Sequence, residues 1–125
     1  MELRANELRI GNLVSRLDLG DHSLRVESVL ELRKDKVLTT GPISVICLYS
    51  EIKPIPLSEE WLLKFGFDQI GSSVSYKIGE YCIDIRELNL FHFSIVGYLT
   101  IAKIKYVHQL QNLFFALTGW ELSIK

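Results

Sequence analysis

The stretch IKPIPLSEEWLLKFGF, Ile52 to Phe67, decides the fold class. Its first half closes a run of strands. Pro54 and Pro56 lack the backbone N–H that a sheet ladder uses, so the sheet ends or becomes an edge here. Its second half is a helix with both ends written into the sequence. Ser58 is placed to cap it, the hydroxyl accepting from the N–H of Glu60 or Trp61. Glu59 and Glu60 set negative charge at the positive end of the helix dipole. Leu57 and Leu62 make a hydrophobic staple across the cap. Gly66 can turn left-handed and let Phe67 fold back on Leu62 in a Schellman motif. The spacing predicts a short helix over 59–65 between two β regions, and so an α+β protein.

Upstream, residues 8–55 read as strands. In the clearest of them Leu24, Val26, Ser28, Leu30 and Leu32 take one face. Arg25, Glu27, Glu31 and Arg33 take the other, with Val29 as the exception. Gly20-Asp21, Lys34-Asp35-Lys36 and Gly41-Pro42 are turn signals. Val45 to Leu48 is apolar on both faces, as a buried strand would be. Four or five short strands within residues 1–56 suit a small SH3-like barrel, with an open meander as the alternative.

Downstream, residues 57–125 read as an α-β-β-β-β-α unit sharing a core with the first. Val74, Tyr76 and Ile78 alternate with polar neighbours, and so do Tyr81, Ile83 and Ile85. LFHFSIV and YLTIAKI complete a four-stranded antiparallel meander. Helices before and after it could cover one face.

The last helix, expected over Val107–Thr118, belongs to the stretch YVHQLQNLFFALTG, which carries no charge. Val107, Leu110, Leu113, Phe114 and Leu117 share one side. His108, Gln111, Asn112 and Phe115 lie opposite. Lys and Glu are usual on a solvated helix face. A neutral stripe around an aromatic ring can be desolvated without stranding a charge. Two occupants are open: another element of this chain, such as the N-terminal strands, or a partner, which includes a second copy. These four residues are the candidate partner-binding set.

The remaining composition narrows the chemistry. The 125 residues carry a formal net charge of −1, with 48% apolar and 23% charged side chains. Nothing there exerts a general pull on nucleic acid or anionic membrane. The one basic cluster, Arg33 to Lys36, contains Asp35 and reads as a solvated turn. No apolar run is long enough for a bilayer, and the charged N-terminus lacks a signal-peptide core, so a cytoplasmic setting is expected. Cys47 and Cys82 lie in strand-like runs and read as free thiols. No phosphate-binding loop or metal-ligand spacing is present, so no cofactor or metal is expected. Asp84, His92 and Ser94 are of the types used in nucleophilic catalysis. The strand around Ser94 has no nucleophile elbow and its N–H groups belong to a ladder, so a polar sheet surface is expected instead.

Three blocks, NELRIGNLV, IKPIPLSEEWLLKFGF and IKYVHQLQNLFFALTGWEL, hold their order along the chain. As a set they resemble a family of small uncharacterised proteins common in Bacteroides and other Bacteroidota, often in phage or prophage regions. The family usually has Thr where this chain has Ser58, and often Glu where it has Trp120. The resemblance implies a bacterial or phage cytoplasmic setting and carries no activity, substrate or catalytic residue. The expectation is a non-enzymatic, phage- or prophage-associated interaction protein that binds a protein partner, or itself, through the C-terminal helix. The alternative drawn from the phage-like context is a small-ligand binder that sequesters a nucleotide. In it Trp61, Tyr76 and Tyr81 would stack on a base, and Arg25 or Arg86 would meet phosphate.

Overall fold

A computed structural model describes residues 3–17, 23–41, 45–94 and 97–124. The turns expected at Gly20-Asp21 and at Pro42 lie outside the described residues. The fold is α+β, with two antiparallel sheets. The chain divides into two compact units, Met1–Ile55 with Tyr106–Trp120, and Pro56–Lys105 with Glu121–Lys125. The division falls between the two prolines of the opening stretch. The C-terminal helix groups with the N-terminal sheet rather than with the meander it follows.

The first unit holds β1 (Leu13–Leu17), β2 (Leu24–Leu32), β3 (Lys36–Thr39), β4 (Val45–Leu48) and β5 (Ile52–Lys53). The spatial order is β4-β3-β2-β1-β5, so the last strand returns beside the first and the sheet is half-barrel-like. A 3₁₀ turn, Tyr49–Glu51, links β4 to β5. The Leu48 N–H donates to the Glu51 carboxylate at 2.7 Å. The Tyr49 hydroxyl donates to the Arg33 carbonyl at 2.7 Å and so ties down the turn between β2 and β3.

The β2 strand turns the face that carries Leu24, Val26 and Leu30 outward. Glu27 and Val29 are buried, whereas Leu24, Val26 and Leu30 are exposed. Register makes this consistent across the sheet, since Val14 stands beside Glu27, Val29 beside Thr39 and Val37 beside Cys47. The buried side gathers Val14, Val29, Val37, Cys47 and Ile52 with Leu3, Leu8 and Tyr49. A register shift between Val29 and Glu31 turns Leu32 back toward that core.

Partners of Glu27 explain why a carboxylate is inside. Arg16 of β1 donates to it from Nε at 2.6 Å and from Nη2 at 2.8 Å, and the Thr39 hydroxyl adds a third bond at 2.7 Å. Burial alone would raise this carboxyl. The Arg16 and Thr39 bonds and the charges of Arg16 and Arg25 outweigh it and hold Glu27 below its ordinary 4.5.

The second unit begins with α1 (Glu59–Lys64). Ser58 accepts from the Trp61 N–H at 3.4 Å, and the Phe67 N–H closes on the Leu62 carbonyl at 3.0 Å with Gly66 at φ 91°. Both expected ends are therefore present. Five strands follow, in the order β10-β9-β8-β7-β6: β6 (Asp68–Gln69), β7 (Ser75–Ile78), β8 (Tyr81–Asp84), β9 (Asn89–Ser94) and β10 (Gly97–Lys103). The short β6 adds one strand to the expected four. Trp61, Leu62, Tyr76, Ile83 and Leu90 are buried in this unit's helix and sheet, and Phe65 and Phe67 are buried just after the helix.

The last helix, α2, spans Val107–Thr118 and ends at Gly119 in the left-handed conformation. No helix among the described residues is long and apolar enough to cross a membrane.

Candidate functional site

The uncharged stripe of α2 meets the N-terminal segment of its own unit. The Gln111 carboxamide acts as an extra rung of the sheet. Its Oε1 accepts from the Leu13 N–H at 2.8 Å and its Nε2 donates to the Gly11 carbonyl at 3.3 Å. This occurs where β5 no longer covers β1, because β5 pairs only with Ser15 and Arg16. Asn112 works one residue further along. Its Oδ1 accepts from Asn12 Nδ2 at 2.8 Å and from Arg9 Nη1 at 3.2 Å, while its Nδ2 donates to the Glu7 carbonyl at 3.1 Å. Backbone donors and acceptors in alternation need amides, which explains why no charge stands here.

His108 is also enclosed. It stacks on Tyr106 with centroids 5.9 Å apart and planes 12° from parallel, and its Nδ1 is buried without a hydrogen-bond partner among the described residues. Burial holds the imidazole below its ordinary 6.5, against the pull of Glu7. Phe115 differs from the other three, being 39% exposed under the Arg9 guanidinium, 4.1 Å from the ring centroid. Leu117 and, past the cap, Trp120 are also exposed, the latter by 74%, but two residues along the helix put Leu117 on nearly the opposite side from Phe115. Compared with the wheel drawn from the leucines, the buried side is turned by roughly a fifth of a turn toward Gln111. Val107 and Leu110 remain buried while Leu117 does not.

A second surface was not singled out from the sequence. The outer face of the first sheet carries Leu17, Leu24, Val26, Leu30, Ile46 and Leu48, each between 40% and 68% exposed. Cross-strand register puts Leu17 beside Leu24 and Leu38 beside Ile46, so these residues share one side of the sheet. A recess of about 340 Å³ opens at one end, lined by Leu17, Leu24, Ser50, Glu51 and Lys53. Single exposed leucines are ordinary on protein surfaces; here six aliphatic residues share one sheet face, with Lys36 beside Leu48 and Glu31 beside Leu38 among them. The signal was present in Val29, the residue that broke the alternation of β2: it marks the side that faces inward.

The residues considered for nucleotide binding are dispersed. The Trp61 ring is buried and tilted against Phe65, with the Lys64 ammonium 4.6 Å from its centroid. Tyr76 is buried, and its hydroxyl bonds the Glu59 carboxylate, which pushes it up to about 12. Tyr81 packs on His92 at 5.1 Å. Arg86 is exposed in the second unit, and Arg25 belongs to the first. Asp84 and His92 do not converge. In the β8–β9 register His92 pairs with Tyr81, which puts it on the side of the sheet opposite Asp84. His92 Nε2 lies 3.0 Å from Glu80, and Asp84 accepts from the Arg86 N–H at 2.8 Å. The Ser94 side chain lies outside the described residues. Cys47 and Cys82 are free thiols, and burial pushes both up. No cluster of three or more metal-binding side chains stands among the described residues. Comparison with protein-family models, with curated proteins and with solved structures gives no match to this chain.

Proposed function

We propose that this is a non-enzymatic interaction protein that docks a protein partner on the outer face of its first sheet. One observation carries the reading. The longest strand among the described residues turns Leu24, Val26 and Leu30 to the surface and a paired carboxylate to the interior. Burying six half-exposed aliphatic side chains is worth roughly 5–9 kcal/mol of transfer free energy, enough for the centre of an interface once a polar rim is added. The amide stripe of α2 then has a structural task, closing the edge of β1, and the end of the helix leaves Leu117 and, past its cap, Trp120 as a smaller exposed apolar surface. That smaller surface is the second reading, favoured by the exposure of the Trp120 ring. On the resemblance to Bacteroidota phage proteins, the setting is an accessory role in a phage or prophage.

The first unit is read as an SH3-like barrel. The strand order β4-β3-β2-β1-β5 and the 3₁₀ turn before β5 support this. The nucleotide-binding alternative would have Tyr81 and Arg86 to work with, since Trp61 and Tyr76 are closed in the core.

Affinity capture from a bacterial host lysate tests the proposal. Wild-type protein is compared with Val26→Asp, Ile46→Lys and Leu117→Lys. Loss of capture in the two sheet variants, with unchanged far-UV circular dichroism, supports the sheet face. Loss in Leu117→Lys alone moves the site to α2. Equal capture by all four proteins ends both readings.

A further inference from the structure

We infer that the second unit is an insertion in the first and opens as a cooperative body of its own, leaving the first unit and α2 folded. Three observations lead to it.

The first is how the chain leaves one unit and returns to it. The first unit is left at Ile55 and entered again at Tyr106. Across that gap it closes on itself, the Val107 N–H donating to the Ile55 carbonyl at 2.9 Å. The second unit closes with its own residues, the Leu57 N–H donating to the Lys105 carbonyl at 2.9 Å. Pro56 stands between the two bonds and has no N–H to leave unpaired. Chain ends held this close together are what an inserted module needs.

The second is how each unit is filled. The core of Leu3, Val14, Val29, Val37, Tyr49 and Ile52 draws on residues before Pro56. Trp61, Leu62, Tyr76, Ile83 and Leu90 all lie between Pro56 and Lys105. Helix α2 packs on β1 and helix α1 on β6, each inside its own unit.

The third is what holds α2. Gln111 and Asn112 are bonded to Glu7, Arg9, Gly11, Asn12 and Leu13, all of the first unit. These anchors persist when the inserted residues open. The opened stretch, Pro56–Lys105, is then a closed loop of roughly 50 residues, and closure entropy grows only with the logarithm of loop length. The final segment, Glu121–Lys125, groups with the second unit and is released with it. Separate opening of contiguous units is the usual pattern of native-state exchange.

Native-state hydrogen exchange on the full chain tests the inference. Ile83→Val and Ile52→Val each trim one methylene from one unit's core, and each should speed the opening of that unit about 3–10-fold. In Ile83→Val the amides of Ile85 and Ile104, bonded to the Val74 and Leu88 carbonyls, should exchange faster by that factor. Those of Leu13 and Val29 should stay at the wild-type rate. Ile52→Val should do the reverse. The two junction amides should separate, Leu57 following the second unit and Val107 the first. Ile83→Ala removes enough of the second core to open it at equilibrium, and the first unit should then keep its protection. Both units speeding together in either valine variant, or loss of protection throughout the chain in Ile83→Ala, overturns the inference.

Discussion

The Gln111 carboxamide accepts from the Leu13 N–H at 2.8 Å and donates to the Gly11 carbonyl at 3.3 Å, so a helix side chain finishes the edge of a sheet. An unfinished edge would expose backbone groups that pair with any passing strand. In this position the amide performs both halves of a ladder rung, and neither an acid nor an aliphatic side chain can. Gln111→Ala leaves a donor and an acceptor without partners and should cost about 1–3 kcal/mol. Gln111→Glu should cost more, because a carboxylate would face the Gly11 carbonyl. Urea denaturation measures both. A loss below ~0.5 kcal/mol for Gln111→Ala would mean that water replaces the amide at no penalty.

Asn112 allows a sharper substitution of the same kind. Asn112→Asp keeps the acceptor that serves Asn12 and Arg9 and strengthens the pull on the guanidinium. It also removes the donor to the Glu7 carbonyl, now 3.1 Å from a nitrogen. The lost donor and the repulsion between carboxylate and carbonyl should outweigh the partly exposed ion pair, for a net loss of about 1–2 kcal/mol. A variant more stable than wild type would show that the Arg9 contact dominates this corner.

How these contacts could be read from sequence differs between the two ends of the chain. The α1 caps were legible because every participant lies within ten residues: Ser58, Trp61, Leu62, Gly66 and Phe67 define each other locally. The α2 boundaries were legible for the same reason, through Gly119. Its facing was not, since Gln111 and Asn112 answer to Gly11, Leu13 and Asn12, about 100 residues away. The β2 strand shows the limit more clearly. Alternation assigns Leu24, Val26 and Leu30 to a common side, and they do share one. Which side faces inward depends on neighbouring strands, from which Arg16 pairs its charge with Glu27 and the Thr39 hydroxyl donates to it. A period of two says nothing about which of two faces is covered. The candidate surface on the first sheet was therefore hidden behind a pattern that left its inward side open.

The Arg16–Glu27 pair gives a prediction in two steps. Removing one partner leaves a charge in the interior, so Glu27→Ala should cost about 3–5 kcal/mol. Replacing both, as Arg16→Met with Glu27→Leu, removes the charges together and should recover most of that loss. The double variant is compared with each single one in a thermodynamic cycle by urea denaturation. If the double variant is as unstable as Glu27→Ala, shape rather than charge governs the position.

Stability should fall with acid in two separable windows. For His108 the folded imidazole is held below the ordinary 6.5, so as pH drops past that value the unfolded chain takes a proton that the native state refuses. For Glu27 the folded carboxyl is held below 4.5, so its contribution is complete above that pH and is lost as pH falls through the lower, native value. Both act in the same direction, each with a slope of at most about 1.4 kcal/mol per pH unit. His108→Phe keeps a ring against Tyr106 and should flatten the curve between pH 7 and 5 without altering the Glu27 window. Thermal melts across pH measure this. An unchanged slope in His108→Phe would place the titrating group elsewhere.

Ser58 offers a local test independent of the sheets. Its hydroxyl accepts from Trp61 N–H at 3.4 Å, at the start of a helix of six residues. With so few internal hydrogen bonds, α1 depends on its ends and on burial of Trp61 and Leu62. Ser58→Ala should cost about 1 kcal/mol, while Ser58→Thr keeps the acceptor and should cost a few tenths at most. Amide hydrogen exchange at Leu62 and Phe65 reads the effect at the helix itself, faster in Ser58→Ala and unchanged in Ser58→Thr. Equal exchange in both variants would mean that packing of Trp61 against Phe65, and not the cap, holds the first turn in place.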